Sequence, residues 1–228
     1  MLRTDVIQAF LNSRKKTAYL EIGVKDGENF FPIKADSKTA VDPHFVFSFK
    51  NRLRWVYKNP SNLTAKYFEV TSDQYFETAG NKKMDVVFID GLHTYQQTLR
   101  DVINSLKLLK DNGVIVMHDC NPPHKAAAHP SNSPAEAALA GLPGWTGEWC
   151  GDVWKTICHL RSTRSDLRAF VLDTDYGLGI VTKGDAGDLL NISEESINAM
   201  TYDDLVKDRE KLIGLKNKEY LFEFMAML

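Results

Sequence analysis

Apolar positions along this chain recur with two periods, and the switches between them mark out a series of elements. Residues 2–12 place Val6, Ile7, Phe10 and Leu11 on one side, which predicts a short amphipathic helix. Ala18-Tyr19-Leu20-Glu21-Ile22 is a near-continuous apolar run ending at glycine, the pattern of a buried parallel strand feeding a helix. Thr39-Ala40-Val41, closed by Asp42-Pro43, predicts a second strand, and Lys66-Tyr67-Phe68-Glu69-Val70 a third. The aromatic-rich stretch 44–58 between them is read as helical. Asp85-Val86-Val87-Phe88-Ile89 is the clearest strand. Behind it, Leu99, Val102, Ile103, Leu106 and Leu109 recur at helical spacing over 94–109. Asp111-Asn112-Gly113 is expected to stop that helix through a left-handed glycine cap. Val114-Ile115-Val116-Met117 is the next strand. Strand, helix and strand in this length form a βαβ unit with a right-handed crossover, so the class is α/β with a doubly wound sheet.

Residues 120–150 change character. Five of the eight prolines fall there, at 122, 123, 130, 134 and 143. A segment of this length without periodicity is a functional lid or a disordered stretch, and Trp145, Trp149 and Trp154 favour the lid. Residues 168–183 read as a hairpin turning at Asp175-Tyr176-Gly177. From about 194 the pattern is helical again, with Leu205, Leu212, Leu215, Leu221 and Phe222 available to cover the sheet or a second subunit. The 228 residues suit one domain, 1–228, with a lid-like loop at 120–150 and a helical tail at 190–228.

Composition narrows the function. The hydrophobic content of 43 % and charged content of 25 % fit a globular core. A net charge of −2 supplies no basic surface for nucleic acid. The N-terminal residues lack a signal-peptide pattern, and no stretch approaches a membrane span, so a cytoplasmic protein with no membrane partner is expected. Cys120, Cys150 and Cys158 lack C-x-x-C spacing and read as reduced thiols.

Chemistry gathers where strands end. Glu21-Ile22-Gly23-Val24-Lys25-Asp26-Gly27 places an acid and then G-x-x-x-G at a strand–helix turn, where glycines let backbone approach a ligand. The dinucleotide pattern G-x-G-x-x-G is absent. Asp42 ends the second strand 19 residues beyond Gly23, the place of a ribose-binding carboxylate; the alternative is a turn cap before Pro43. Ser72 or Asp73 contacts an adenine amino group, caps the helix over 73–79, or does both. The strongest signal is Phe88-Ile89-Asp90-Gly91-Leu92-His93-Thr94-Tyr95, joined by His118-Asp119 at the next strand end. Adjacent strands are about 4.8 Å apart, so these titratable groups are expected to share one site.

The runs YLEIGVKDGENF, AVDP, FIDGLHTY and GVIVMHDC resemble the class I S-adenosylmethionine-dependent methyltransferases, and within them the small-molecule and sugar O-methyltransferases of the macrocin type. The likeness covers about residues 17–183. It implies a Rossmann-like seven-stranded sheet with an antiparallel last strand, followed here by a C-terminal helical extension. It also implies S-adenosylmethionine bound by Glu21, Gly23, Val24, Gly27, Asp42, Ser72, Asp73, Asp90 and Gly91. A divalent cation, Mg²⁺ or Mn²⁺, would lie at Asp90, His118 and Asp119, with His93 as general base and Asp90 and His118 beside it in catalysis. His118 departs from the usual oxygen ligand. Either the ion is a transition metal, or His118 meets substrate, or no metal binds. The expected partner is a small-molecule acceptor, with a homo-oligomer compatible. A non-catalytic nucleotide-binding module and a nicotinamide-dependent oxidoreductase are the rival readings.

Overall fold

The computed structural model describes residues 1–228. In chain order the elements are α1 (Arg3–Asn12), β1 (Ala18–Ile22), β2 (Ser37–Val41), α2 (Phe49–Lys58), β3 (Lys66–Phe68), α3 (Ser72–Thr78), β4 (Met84–Ile89), α4 (Tyr95–Leu108) and β5 (Leu109–Met117). There follow α5 (Pro134–Leu139), α6 (Trp154–Thr163), β6 (Leu167–Leu172), β7 (Leu178–Lys183), α7 (Glu194–Ala199), α8 (Tyr202–Lys207), α9 (Arg209–Ile213), β8 (Leu215–Lys216) and α10 (Tyr220–Met225). The strands hydrogen-bond in the order β3-β2-β1-β4-β5-β7-β6-β8. The expected α/β sheet is present, with one short strand more than the seven anticipated. The chain packs as two compact units, residues 1–91 with 101–116 and residues 92–100 with 117–228.

In the first unit β1 pairs in parallel with β2 on one side and β4 on the other. Chain order reverses between β1 and β4, which makes their carboxyl ends the switch point where open α/β sheets take ligands. Every residue of β1 and β4 is buried. Two of them are acids. Asp85 accepts from the Ala18 amide at 2.7 Å and from Lys110 Nζ at 2.7 Å, so this buried charge is compensated. In the second unit β6 and β7 form an antiparallel hairpin in the register Leu167↔Lys183 to Leu172↔Leu178. The two-residue β8 adds to β6 in parallel through Val171↔Leu215.

The structure corrects the sequence expectations in several places. α4 ends at Leu108, and Gly113 lies within β5, outside the left-handed region. Gly113 is needed for a different reason: a Cβ there would sit 2.7 Å from the side chain of fully buried Leu109. The third strand is shorter than expected, Lys66–Phe68. α3 is capped by Thr71, which forms a capping box with Gln74, and not by Ser72 or Asp73. Segment 120–150 contains α5, started by Ser133 and Pro134. Trp154 belongs to the core of α6 at 1 % exposure and not to a lid. In the tail, Phe222 faces solvent, and Phe224 packs edge-on against Phe170 at 4.9 Å in its place. The tail also supplies β8, which helical periodicity did not predict.

Candidate active site

The first unit carries every residue expected to bind the cofactor. Gly23 has φ +84°, and a Cβ there would lie 2.0 Å from the Asp90 carbonyl oxygen. The Gly23 amide donates to Val41 O at 2.9 Å, and the Asp90 amide donates to Ile22 O at 2.8 Å. The ends of β1, β2 and β4 are thus drawn together at a residue without a side chain. Gly27 has φ +81°, and the Phe31 ring fills its Cβ position at 2.2 Å. Between them Val24 is buried. Gly91 has ordinary space, its nearest neighbour Ile22 Cγ2 at 3.6 Å.

Asp42 is buried, with Oδ2 accepting from the Lys25 amide at 2.7 Å and Oδ1 from the His44 amide at 2.8 Å. Those bonds tie the β2 end to the glycine turn. A carboxylate has about four acceptor positions, so two remain for hydroxyl donors. Ser72 and Asp73 lie in the first turn of α3, where Asp73 is solvent-exposed. Asp90 keeps a side-chain exposure of 22 % and has Arg3 Nη1 3.9 Å away.

Glu21 lies in a buried network. It accepts from the Tyr19 hydroxyl and from Asn29 Nδ2 at 2.9 Å. Burial pushes its carboxyl up to about 8, against the lowering effect of those two bonds, and the Asp90 charge adds to the rise. Lys38, wholly buried, donates to Phe30 O at 2.5 Å, Ile33 O at 2.9 Å and Asn62 Oδ1 at 2.7 Å, and burial pulls it down to about 7. Sequence reasoning passed over Lys38 and Asn29 because strand periodicity treats a lysine as outward-facing and a loop asparagine as a turn former.

The two shifts have opposite effects on stability. The folded-state value of Glu21 lies above that of an unfolded glutamate. Its favourable share is complete below the unfolded value and is lost as pH rises through about 8. The folded-state value of Lys38 lies below that of an unfolded lysine. Its share is complete above the unfolded value and is lost as pH falls through about 7. Glu21→Gln keeps an acceptor for Tyr19 and removes the buried charge. Thermal melts should therefore show the variant gaining on the parent protein between about pH 5 and pH 9. A difference in Tm that stays flat across that range would refute the buried-charge account.

The second unit carries the candidate chemistry. The His93 ring stacks on Trp149 with centroids 4.8 Å apart. Its Nδ1 lies 2.9 Å from Trp149 O and 3.3 Å from Asp119 Oδ2. Both neighbours are acceptors, so Nδ1 carries the proton, and the lone pair of a neutral ring sits on Nε2. Gly151 lets this packing close, since a Cβ there would lie 1.8 Å from His93 O. Trp149 is held by its own indole, which donates to His129 O at 3.0 Å.

Asp119 adopts φ +62°, a conformation that non-glycine residues enter at a cost and that occurs often at functional sites. Its Oδ2 lies 3.1 Å from His118 Nδ1, and His118 Nε2 lies 3.4 Å from Asp175 Oδ1. His118 is thus set between two carboxylates. The Cys150 thiol is pushed up by burial, with Asp119 adding to the shift. Asp175, Tyr176 and Gly177 all have positive φ, and this turn accepts the Asn121 and Cys120 amides at 2.7 and 2.9 Å. Asp175 and Trp149 were absent from the predicted site. The only sequence signals were a turn motif and a tryptophan in a proline-rich loop, and neither says what it touches.

Residues 20–120 match a sequence family described as a methyltransferase domain. The fold has solved counterparts. One is the O-methyltransferase TomG from Streptomyces achromogenes, involved in tomaymycin synthesis and in complex with SAM. It has a TM-score of 0.56 and 13 % identity, with 79 % of each chain covered. The fold is that of the class I methyltransferases. Two more structures share the methyltransferase fold. The SAH complex of an O-methyltransferase from Bacillus cereus has a TM-score of 0.51 at 15 % identity, covering 78 % of each chain. SAH-bound PaMTH1 from Podospora anserina has 0.52 at 18 %, covering 79 % of this chain and 76 % of its own. No curated protein sequence gives a match.

Proposed function

We propose that the chain is an S-adenosylmethionine-dependent O-methyltransferase that acts on a small-molecule hydroxyl, with His93 as general base. The observation that carries this reading is the setting of His93. Two acceptors hold the proton on Nδ1 and direct the basic lone pair to Nε2. Stacking on Trp149 fixes the plane of the ring. S-adenosylmethionine, when bound, supplies the electrophilic methyl carbon. The chain's tasks are to hold the acceptor oxygen in line and to take its proton. Asp119 then stabilises the imidazolium, as a carboxylate does beside any histidine base.

The cofactor residues in this proposal are Glu21, Gly23, Val24, Gly27, Asp42, Ser72, Asp73, Asp90 and Gly91. Asp42 is its best-supported member, a buried carboxylate fixed by two amides with acceptor capacity left over. Titration calorimetry with S-adenosylhomocysteine, NAD and ATP tests the reading directly. Binding of S-adenosylhomocysteine alone supports it. Binding of NAD instead would favour an oxidoreductase, and binding of ATP a nucleotide-binding module. Asp42→Ala should weaken S-adenosylhomocysteine by about 1.5–3 kcal/mol, the worth of hydrogen bonds to a charged acceptor. A loss well below about 1 kcal/mol would leave Asp42 as a turn cap only.

The proposal includes a divalent cation. Asp90 and Asp119 are oxygen donors of the kind Mg²⁺ and Mn²⁺ accept. His118 fits less well as a third donor, because its two nitrogens are directed at Asp119 and Asp175. Its role in this reading is to position Asp119. When bound, the cation lowers the pKa of an acceptor hydroxyl and orients it. Dialysis against EDTA should abolish methyl transfer, and Mn²⁺ or Mg²⁺ should restore it. Full activity in chelator, with no metal by elemental analysis, would leave His93 acting without a cation.

A further inference from the structure

We propose that α2 is a docking helix for an anionic lipid surface. None of its ten residues is buried. Phe49, Leu53 and Tyr57 stand at i, i+4 and i+8, with 68 %, 55 % and 90 % of their surface exposed. One residue further round the helix, Lys50, Arg54 and Lys58 form a second exposed row. The helix contains no acid. An apolar row beside a cationic row is the pattern of a helix lying in a bilayer interface, apolar side chains below the headgroups and cations among the phosphates.

The inner side of α2 is firmly attached, so the two rows are a fixed feature of the surface. Trp55 stacks on Phe31 with centroids 5.7 Å apart and planes at 7°. Arg52 lies 3.9 Å over the Tyr67 ring. Ser48 caps the first turn, accepting from the Asn51 amide at 3.3 Å. At the other end Asn59 Nδ2 donates to Phe31 O at 2.8 Å and Ile33 O at 2.9 Å. The outward rows are exposed, and within them Lys58 Nζ lies 4.9 Å from the centroid of the Trp55 ring. The preceding loop adds exposed Val46 at 61 %, and the following turn adds Leu63 at 74 %.

Charge selects the occupant. A second copy docking α2 on α2 about a two-fold axis would set cationic rows against each other. A folded protein partner needs a complementary shape, whereas a fluid bilayer yields to a single protruding helix. A net charge of −2 over the chain conceals the local excess of four cations on α2, at Lys50, Arg52, Arg54 and Lys58. The sequence pointed away from membranes because no stretch is long and apolar enough to span one, and an interfacial helix needs none.

Vesicle co-sedimentation tests the proposal, using phosphatidylcholine alone and phosphatidylcholine with phosphatidylserine. The protein should pellet with the phosphatidylserine vesicles, lose binding as salt is raised, and stay in solution with phosphatidylcholine. Replacing the outer cations (Lys50→Gln, Arg54→Gln, Lys58→Gln) should lower the partition coefficient roughly a hundredfold, since each cation contributes comparably near an anionic surface. Phe49→Ser with Leu53→Ser should abolish pelleting and leave Tm unchanged. Equal binding to both vesicles, no binding to either, or full binding by both variants would overturn it. So would self-association in sedimentation velocity that Leu53→Ser removes, which would assign the face to a second copy. None of these readouts uses methyl transfer, so the proposal stands or falls apart from the catalytic reading.

Discussion

A His93→Ala variant is expected to bind S-adenosylhomocysteine as the parent protein does and to turn over roughly 10²–10⁴-fold more slowly, the range for removing a general base. The expectation rests on the way the ring is held. Trp149 O and Asp119 Oδ2 both accept from Nδ1, which fixes the tautomer that presents a basic Nε2. Asp119→Asn supplies a sharper version. An amide can turn its nitrogen toward Nδ1 and favour the other tautomer, so turnover should fall while cofactor affinity holds. The measurement is a pH–rate series with a methyl acceptor found by screening hydroxylated small molecules. Parent-like activity of His93→Ala at every pH would dismiss the base. His118 would then be the next candidate, although its nitrogens are directed at Asp119 and Asp175.

Gly23→Ala is expected to be among the most destabilising single-methyl changes in the chain, by about 3 kcal/mol or more. Two effects add. An alanine at φ +84° is strained by itself, and its Cβ would meet the Asp90 carbonyl at 2.0 Å, backbone that cannot rotate away. For a chain of this size the fall in Tm is roughly 6–12 °C. Gly80→Ala separates the two effects, because Gly80 also has positive φ but nothing within 4 Å of the added methyl. It should cost only about 1 kcal/mol. Equal losses at the two positions would show that φ strain, and not the approach of β1 to β4, is what Gly23 relieves. This geometry also limits what a larger residue at Gly23 can report. It strikes protein backbone first, so weakened ligand binding in such a variant would not locate the ligand.

Much of the fold was legible because burial leaves a period in the sequence. β1 and β4 are buried along their whole length and read as unbroken apolar runs. The hairpin around Asp175-Tyr176-Gly177 read correctly because three successive positive-φ residues need the turn chemistry those positions hold. The end of α4 was legible to within a residue, but its stop signal was not, because glycine has more than one use. Gly113 reads as a cap in the sequence, whereas in the fold it makes room for Leu109. β8 was invisible because two residues, Leu215 and Lys216, carry no period at all.

The candidate site divides in the same way. Strand-end motifs depend on local backbone, so the sequence alone determined that Gly23, Asp42, Asp90, His93 and His118-Asp119 fall at strand ends and the turns after them. It could not determine what each side chain faces, since that depends on segments far apart in the chain. Trp149 reaches His93 across 56 residues, and Asp175 reaches His118 across 57. Burial of Glu21 and Lys38, which moves both toward neutrality from opposite sides, likewise comes from packing of the 29–33 loop and not from either residue's neighbours in sequence. Local propensity and periodicity set the elements and their ends. Tautomer, charge state and side-chain partners were decided only when long-range packing fixed the surroundings of each polar group.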